Sequence, residues 1–165
     1  MVLSSPAYDV REMYDDLSQL TDNNVSVEII TNDVAKGANP WGCTDYLNQK
    51  EKIWDTGVKV YELMGEYSSH TKAVLLDSRM SLVGSYNFDM RSTYQDTELM
   101  LVIDSEKLNQ QIHETESDYM EKSKEVLANG QETEGAKYQG KVLNRKKKLY
   151  YGVLRIIIRP LRQLL

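Results

Sequence analysis

The stretch HTKAVLLDSRMSLVGSYN, residues 70–87, constrains the fold of this chain more than any other segment. Two runs within it alternate apolar and polar side chains with the two-residue period of a β-strand. Between the runs, DSRM (residues 77–80) has turn character, because an aspartate can hydrogen-bond to the backbone that follows it. The pattern predicts an antiparallel β-hairpin.

The polar side chains of this hairpin are predicted to gather on one face. If the hairpin closes symmetrically over residues 78–79, Lys72 faces Ser85 and His70 faces Asn87. Directly opposed Cβ atoms are roughly 5 Å apart, so the four groups form one cluster. A titratable nitrogen, a fixed cation and two neutral hydrogen-bonding groups suit a tetrahedral oxyanion such as a phosphate.

Gly84 lies beside this cluster and carries no side chain, which permits a close approach to the backbone. A histidine near a lysine in a strand is also a common half-exposed pair without any chemical role. The residue pattern by itself leaves both interpretations open.

The motif around this cluster resembles that of a known family. HxKxxxxD followed by GSxN is similar to the signature of the phospholipase D superfamily. The longer stretch GSYNFDMRSTYQDTELMLVID resembles the GSxNxDxRS…(N/D)xE pattern of the cardiolipin synthase-like branch. The matching positions are Gly84, Ser85, Asn87, Asp89, Arg91, Ser92, Asp96 and Glu98.

The resemblance implies attack on a phosphodiester through a phosphohistidine, without a metal or cofactor. His70 would be the nucleophile or the general acid. Lys72 would bind nonbridging oxygens, and Gly84, Ser85 and Asn87 would complete the substrate contacts.

Two acidic positions of the motif are expected to act differently. Glu98 resembles the family glutamate that orients a catalytic histidine. Asp77 belongs to the motif and is included among the catalytic candidates, but it points to the opposite strand face and looks structural. His113, among polar residues of a predicted surface helix, and Cys43 are expected to have structural roles.

Phospholipase D-like proteins contain two similar α/β halves, each donating one HxKxxxxD motif to a shared site. This chain has one such motif, and its resemblance to a second half covers roughly residues 2–128. A second half-domain is therefore expected as a partner, either in a homodimer or as a missing N-terminal half.

Strand-like and helix-like segments alternate along the chain, which predicts an α/β fold with a mixed sheet flanked by helices. A phospholipase D-like half-domain is expected over residues 1–128, a polar linker over 129–144 and a basic amphipathic tail over 145–165. Predicted strands are 2–8, 25–32, 58–64, the two hairpin arms and 97–104; predicted helices are 9–23, 43–57 and 105–127.

Charge is distributed unevenly over the 165 residues. The net charge is −5, yet the segment from residue 145 onward has seven basic residues and no acidic one. The acidic remainder is a poor platform for nucleic acid, so nucleic acid is not expected as a partner. No cluster has metal-ligand spacing.

The tail suggests a membrane partner. A basic run precedes apolar residues with arginines on one helix side, so the tail is expected to lie along an anionic membrane surface, on the cytoplasmic face of a bacterial membrane. Packing on a missing half is the alternative. The predicted membrane-binding residues are Lys146, Lys147, Lys148, Arg155, Arg159 and Arg162.

The expected function is phosphodiester cleavage or phosphatidyl transfer on phospholipid, as in a cardiolipin synthase. A single-motif homodimeric phosphodiesterase or endonuclease is one alternative. A catalytically silent half that binds lipid or acts as a scaffold is another.

Overall fold

A computed structural model describes residues 2–3, 11–127 and 129–161. Within these residues one mixed eight-stranded sheet is flanked by helices, which confirms the predicted α/β fold. The strands are β1 (Val2–Leu3), β2 (Glu28–Asn32), β3 (Lys59–Leu63), β4 (Lys72–Leu76), β5 (Met80–Gly84), β6 (Met100–Asp104), β7 (Ser123–Val126) and β8 (Glu132–Glu134). The helices are α1 (Arg11–Asp22), α2 (Pro40–Asp55), α3 (Met90–Tyr94), α4 (Glu106–Glu121) and α5 (Arg145–Leu161).

The strand order is β6-β5-β4-β1-β2-β3-β7-β8. The central strands β1, β2 and β3 are parallel, while β4 to β8 pair with their neighbours in antiparallel fashion. Parallel strands are usually covered on both faces, and β2 shows this pattern. Ile29 packs in the core with residues of α1 and α2, and Ile30 packs on the other face against Tyr119 and Met120 of α4.

Helix α2 begins earlier than the sequence predicted. The sequence predicted a helix from residue 43, but the helix begins at Pro40. The Asn39 side chain accepts hydrogen bonds from the backbone N–H groups of Trp41 (3.0 Å) and Gly42 (3.3 Å). A capping asparagine followed by proline at the first helical position is a favourable helix start.

The predicted helix over residues 105–127 is wrong at its end. Helix α4 stops at Glu121, and the next segment forms strand β7, which pairs with β3. Strand β8 then occupies part of the predicted polar linker and pairs with β7. The side chain of Val126 is fully buried in the assembled sheet. This tertiary burial overrides the local helical preference of the segment.

The hairpin of β4 and β5 forms, but its predicted register is wrong by one residue. Ala73 pairs with Val83, so the register carried one step further sets Lys72 level with Gly84 rather than Ser85. The connection has three residues, 77–79, because Asp77 adopts a left-handed conformation with φ of 51°. Aspartate tolerates this region better than most residues do.

Helix α5 packs against α2 of the same chain through its buried face, made of Tyr151, Leu154 and Ile158. The Tyr151 hydroxyl donates to the carbonyl oxygen of Val34 (3.4 Å). The helix predicted in the tail is present. The sequence predicted that it lies on an anionic membrane surface or packs on a missing half, and neither prediction included its contact with α2 of the same chain. No helix in the described segments has both the length and the apolar character needed to cross a bilayer.

Candidate active site

His70 lies at the end of the connection from β3 to β4, where a bond from another strand fixes the backbone. Asn32, the last residue of β2, donates from Nδ2 to the Ser69 carbonyl oxygen at 2.8 Å. The Ser69 N–H donates back to Asn32 Oδ1 at 2.7 Å. This reciprocal pair holds the residue immediately before the exposed His70 against the sheet.

The side chain of Lys72, the first residue of β4, folds back onto His70. Its Nζ lies 3.1 Å from His70 Nε2 and 3.1 Å from the His70 carbonyl oxygen. An ammonium group has donors but no acceptor, so the ring nitrogen that meets it must present a lone pair. The contact therefore fits a neutral imidazole with its proton on Nδ1.

The second part of the motif approaches the same place. Burial lowers the pKa of Lys72, while the charges of Glu98 and Asp89 act in the opposite direction. These two carboxylates follow β5 in sequence, yet they act electrostatically on a residue of β4. The structure therefore brings the two halves of the motif together around Lys72.

Glu98 is bound by two serine hydroxyls. Ser85 Oγ makes a short hydrogen bond to Glu98 Oε2, and Ser92 Oγ donates to Oε1 at 2.6 Å. The Ser85 bond is the largest cause, and the Ser92 bond the next, of a Glu98 pKa below its ordinary value. Glu98 is thus held ionised near Lys72, and its predicted bond to a histidine stays a prediction.

Asn87 lies in the segment between β5 and α3, in which Ser92 links several groups. Ser92 Oγ accepts from the Asn87 N–H at 3.2 Å while it donates to Glu98. Asp89 caps α3 by accepting from the Ser92 N–H at 2.7 Å. Asp89, Ser92 and Glu98 thereby fix the loop on which Asn87 is carried.

Gly84 permits a close approach, as predicted, but the approaching group belongs to the chain itself. A Cβ at this position would clash with the carbonyl oxygen of Leu99, which precedes β6. The Leu99 N–H in turn donates to Ser85 Oγ at 3.1 Å. The need for glycine arises here from the packing of adjacent backbones.

Asp77 lies away from this cluster, at the exposed tip of the hairpin and beyond the far end of β4. Five residues of extended strand rise about 17 Å, which is too far for contact with His70. The neighbouring Arg79 forms a two-pronged ion pair with Asp104 at the end of β6. Asp77 thus supports the hairpin turn and is not brought to the cluster.

A cavity of about 550 Å³ opens beside His70. Polar residues from the strand ends and from the loop after β5 form one part of its lining, and residues of α2 and α5 form another. Across the described residues, no group of three or more His, Cys, Asp or Glu side chains is placed to hold a metal ion. The cavity-lining residues are Thr31, Asn32, Gly37, Ala38, Asn39, Trp41, Gly42, Cys43, Tyr46, Ser68, Ser69, His70, Asn87, Asp89, Arg91, Ser92, Asp96 and Leu161.

Arg91 and Asp96 line this cavity as an ion pair, with Arg91 Nε 2.8 Å from Asp96 Oδ2. Both side chains are well exposed, at 60% and 40%, so the pair contributes little to stability. The guanidinium is nevertheless a second fixed cation available to an anionic ligand in the cavity.

A buried ionic network joins the cavity lining to the sheet. Tyr46 of α2 donates its hydroxyl proton to Glu62 Oε1 on β3 at 2.8 Å, and Lys124 of β7 lies 2.9 Å from Glu62 Oε2. Burial is the largest influence on Tyr46 and raises its pKa well above the ordinary value. The network ties the cavity-lining Tyr46 to the centre of the sheet.

The predicted membrane-binding residues lie on or beside α5. Lys146, Lys147, Lys148 and Arg159 are exposed. Arg155 is also exposed, but its Nε donates to Asn48 Oδ1 of α2 at 2.8 Å. Arg162 lies outside the described residues.

Several residues of this site were not predicted from the sequence. Asn32 and Ser69 join the end of β2 to the connection before β4, and Trp41 and Leu161 come from two helices. An asparagine at the end of a buried strand is a weak signal for Asn32. For Trp41 and Leu161 the sequence holds no signal, because the packing of α5 on α2 decides their place.

Comparison with known families and curated proteins gives concordant results. Residues 1–118 match the family described as "Cardiolipin synthase, PLD-like domain". Cardiolipin synthase A of Cronobacter sakazakii is 43% identical over 68 residues, which are 41% of this chain and 14% of that protein. Cardiolipin synthase A of Yersinia pseudotuberculosis is 38% identical over 72 residues, 44% of this chain and 15% of that protein. The matched segment thus spans about one seventh of the length of these relatives.

Solved structures of similar fold include two with low sequence identity. Nuc from Salmonella typhimurium, a phospholipase D family member, has a TM-score of 0.64 and 17% identity, covering 77% of this chain and 80% of that chain. Phosphatidylserine synthase of Haemophilus influenzae has a TM-score of 0.62 and 18% identity, covering 99% of this chain and 41% of that chain. These similarities concern the fold.

Proposed function

Because the chain belongs to the cardiolipin synthase family of phospholipase D-like domains, we propose that it cleaves a phospholipid phosphodiester and transfers the phosphatidyl group, as one half of a two-part site. The observation that carries this proposal is the contact of Lys72 Nζ with His70 Nε2, beside a cavity. The contact pairs a nucleophile that holds a lone pair with a cation that suits phosphate oxygens.

His70 is the nucleophile in this proposal. Lys72, whose Nζ lies 3.1 Å from Nε2 in the free chain, turns to a nonbridging oxygen when a phosphodiester enters. The Nε2 lone pair then attacks phosphorus, and the bond from phosphorus to the leaving oxygen breaks with its electron pair. The product is a phosphohistidine, and attack by a second alcohol or by water on phosphorus later breaks the P–N bond.

The leaving oxygen needs a proton, and general acid catalysis is worth about 10² to 10⁴ in rate. The chain has two histidines, and the second, His113, is exposed on α4. Helix α4 covers the sheet face opposite to the one that α1 and α2 cover, so His113 is poorly placed to protonate a leaving group at His70. A second half-domain therefore supplies the acid.

An open apolar ribbon at the edge of the sheet supports this pairing. Leu76 of β4 is 49% exposed, and Leu101 and Val102 of the edge strand β6 are 57% and 64% exposed. Exposed large apolar side chains on an unpaired sheet edge are a typical feature of association surfaces. Leu76 and Val102 lie on the same sheet face as Lys72, whereas Leu101 lies on the opposite face, because its register neighbours are Val83 and Ala73. A half-domain that covers Val102 would therefore lie on the face that carries Lys72.

Helix α5 supports a membrane location. Its outward side exposes Leu149, Val153 and Ile156 beside the basic residues of the tail, while its inward side packs on α2. Basic and apolar side chains on one exposed helix surface favour binding to anionic bilayers. The phospholipid substrate would then be reached from the membrane surface.

The proposal is tested by measuring specific activity on phosphatidylglycerol across a range of protein concentrations, with light scattering on the same samples. Specific activity should rise as chains pair, or when the remaining half of a relative is added. Full activity in a demonstrated monomer would contradict the shared site. Cleavage of DNA with no lipid turnover would indicate an endonuclease, and the absence of both in a paired state would indicate a scaffolding half.

A further inference from the structure

We propose that the part of the cavity lined by α2 and α5 binds an acyl chain of the phospholipid, with Trp41 and Leu161 as contact residues. This inference rests on the proposed function, because it assigns the apolar part of the same substrate whose phosphate meets His70. In this proposal, α5 lines the substrate site in addition to lying on the protein surface.

The lining of the cavity has two chemically different parts. His70, Asn87 and Arg91 supply a titratable nitrogen, an amide and a guanidinium, which suit a phosphate. Trp41, Cys43 and Leu161 supply an indole, a thiol and an isobutyl group, which carry no charge at neutral pH. Burial raises the pKa of the Cys43 thiol to about 11, so the thiol stays protonated there.

The size of the cavity exceeds what a phosphate needs. Its volume of about 550 Å³ lies in the range of pockets that enclose a whole small-molecule ligand. Trp41 and Leu161 are each 42% exposed, so much of their apolar surface is left for an occupant to cover. An apolar chain that covers it gains roughly 25 cal/mol per Å².

The position of α5 favours an acyl chain over other apolar occupants. Asn48 and Arg155 hold the helix on α2 through two hydrogen bonds, with Arg155 Nε donating at 2.8 Å and Asn48 Nδ2 donating to the Arg155 carbonyl at 3.3 Å. The same rigidly held helix lines the cavity with Leu161 and exposes Ile156 on its outward side. One helix thus connects the membrane-facing surface to the cavity, and the expected substrate itself carries acyl chains next to its phosphate.

The test uses Trp41 as its own reporter. The chain has two tryptophans, so Trp54→Phe leaves Trp41 as the single fluorophore. Phosphatidylglycerol with short, brominated acyl chains, used below its critical micelle concentration, should quench Trp41 fluorescence in a saturable manner. Glycerophosphoglycerol, which has the same headgroup and no acyl chains, should neither quench nor compete at equal concentration.

Two variants in the Trp54→Phe background make the test specific. Leu161→Asp places a charge in the cavity lining and should weaken the quenching affinity about tenfold or more, because it replaces an apolar contact with a group that would have to lose its hydration. Val142→Asp makes the same charge change at an 88% exposed position outside the lining and should leave the affinity unchanged. Far-ultraviolet circular dichroism checks that both variants fold.

The outcomes separate this inference from the proposed function. Equal quenching in the two variants, or no quenching at all, would overturn the acyl-chain site even in an enzyme that turns over phospholipid. Quenching that Leu161→Asp weakens supports the site. The same result in a paired protein that cleaves no phosphodiester would support the acyl-chain site and contradict the proposed catalytic function.

Discussion

The ammonium nitrogen of Lys72 lies 3.1 Å from Nε2 of His70. The contact joins residues two apart, at the point where the chain enters β4, and half-buries the lysine. The ammonium group donates toward a ring nitrogen at this distance. In the proposed mechanism this pair carries out the attack on phosphorus.

Replacing Lys72 with methionine should reduce kcat about 10² to 10³-fold, because a preorganised charge on the nonbridging oxygens is lost. The measurement is steady-state turnover of phosphatidylglycerol by the paired enzyme. Lys137→Met, which removes an exposed lysine bound to Glu121 and Asp118 on the surface, is the matched control and should keep full activity. Equal kcat for the two variants would remove Lys72 from the mechanism.

Replacing Glu98 with glutamine should change the pH dependence of stability. The folded state lowers the pKa of Glu98, so its ionised form contributes stability above the ordinary value of 4.5, and this contribution disappears as pH falls through the lowered pKa. Glutamine does not titrate. The difference in urea midpoint between wild type and Glu98→Gln should be largest near pH 7 and shrink toward pH 3; a constant difference would show that the carboxylate charge is not responsible.

Replacing Lys124 with methionine should lower the free energy of unfolding by about 3 kcal/mol, because it leaves the buried Glu62 carboxylate without its nearest cation. Chemical denaturation measures the loss. Lys59→Met is the control, since Lys59 pairs with Glu28 at 3.6 Å in a more exposed setting and should change stability by less than about 1 kcal/mol. A loss at Lys124 no larger than that of the control would show that the network is not stabilising.

Replacing Ile156 with glutamate should weaken sedimentation with anionic liposomes about tenfold, because it removes apolar contact and adds repulsion. Ile156 is 72% exposed on the outward side of α5, so thermal stability should be unchanged. Deleting the whole tail is a less specific experiment, because it also uncovers the surface of α2. Val142→Glu adds the same charge outside the helix, and equal binding by both variants would contradict a membrane role for this side of α5.

The hairpin shows how far sequence patterns predict this site. The strands, the closeness of the two motif parts and the need for glycine at position 84 follow from alternation and composition. The register does not, because Asp77 takes a left-handed conformation and lengthens the turn by one residue. A shift of one residue moves strand side chains to the other face, so the Lys72–Ser85 pairing was wrong while Ser85 still reaches the site through the loop after β5.

Tertiary contacts explain the other differences. Residues 123–126 continue a helix-like pattern, but they complete the sheet beside β3, and only the assembled sheet reveals that strand. The link from Asn32 to Ser69 joins residues 37 positions apart. Helix α5 was predicted from its own amphipathic pattern, yet its partner α2 is selected by packing that no local pattern encodes.

In the proposed mechanism His70 attacks phosphorus, and a second half-domain supplies the general acid. Bis(4-nitrophenyl) phosphate tests it directly, because nitrophenolate leaves without protonation. A monomeric sample should release about one nitrophenolate per chain in a burst, with the remaining nitrophenyl phosphoryl group on His70 by peptide mass spectrometry. His113→Ala should behave like wild type, and His70→Ala should show neither burst nor adduct. An undiminished burst from His70→Ala, or an adduct on another residue, would contradict the account.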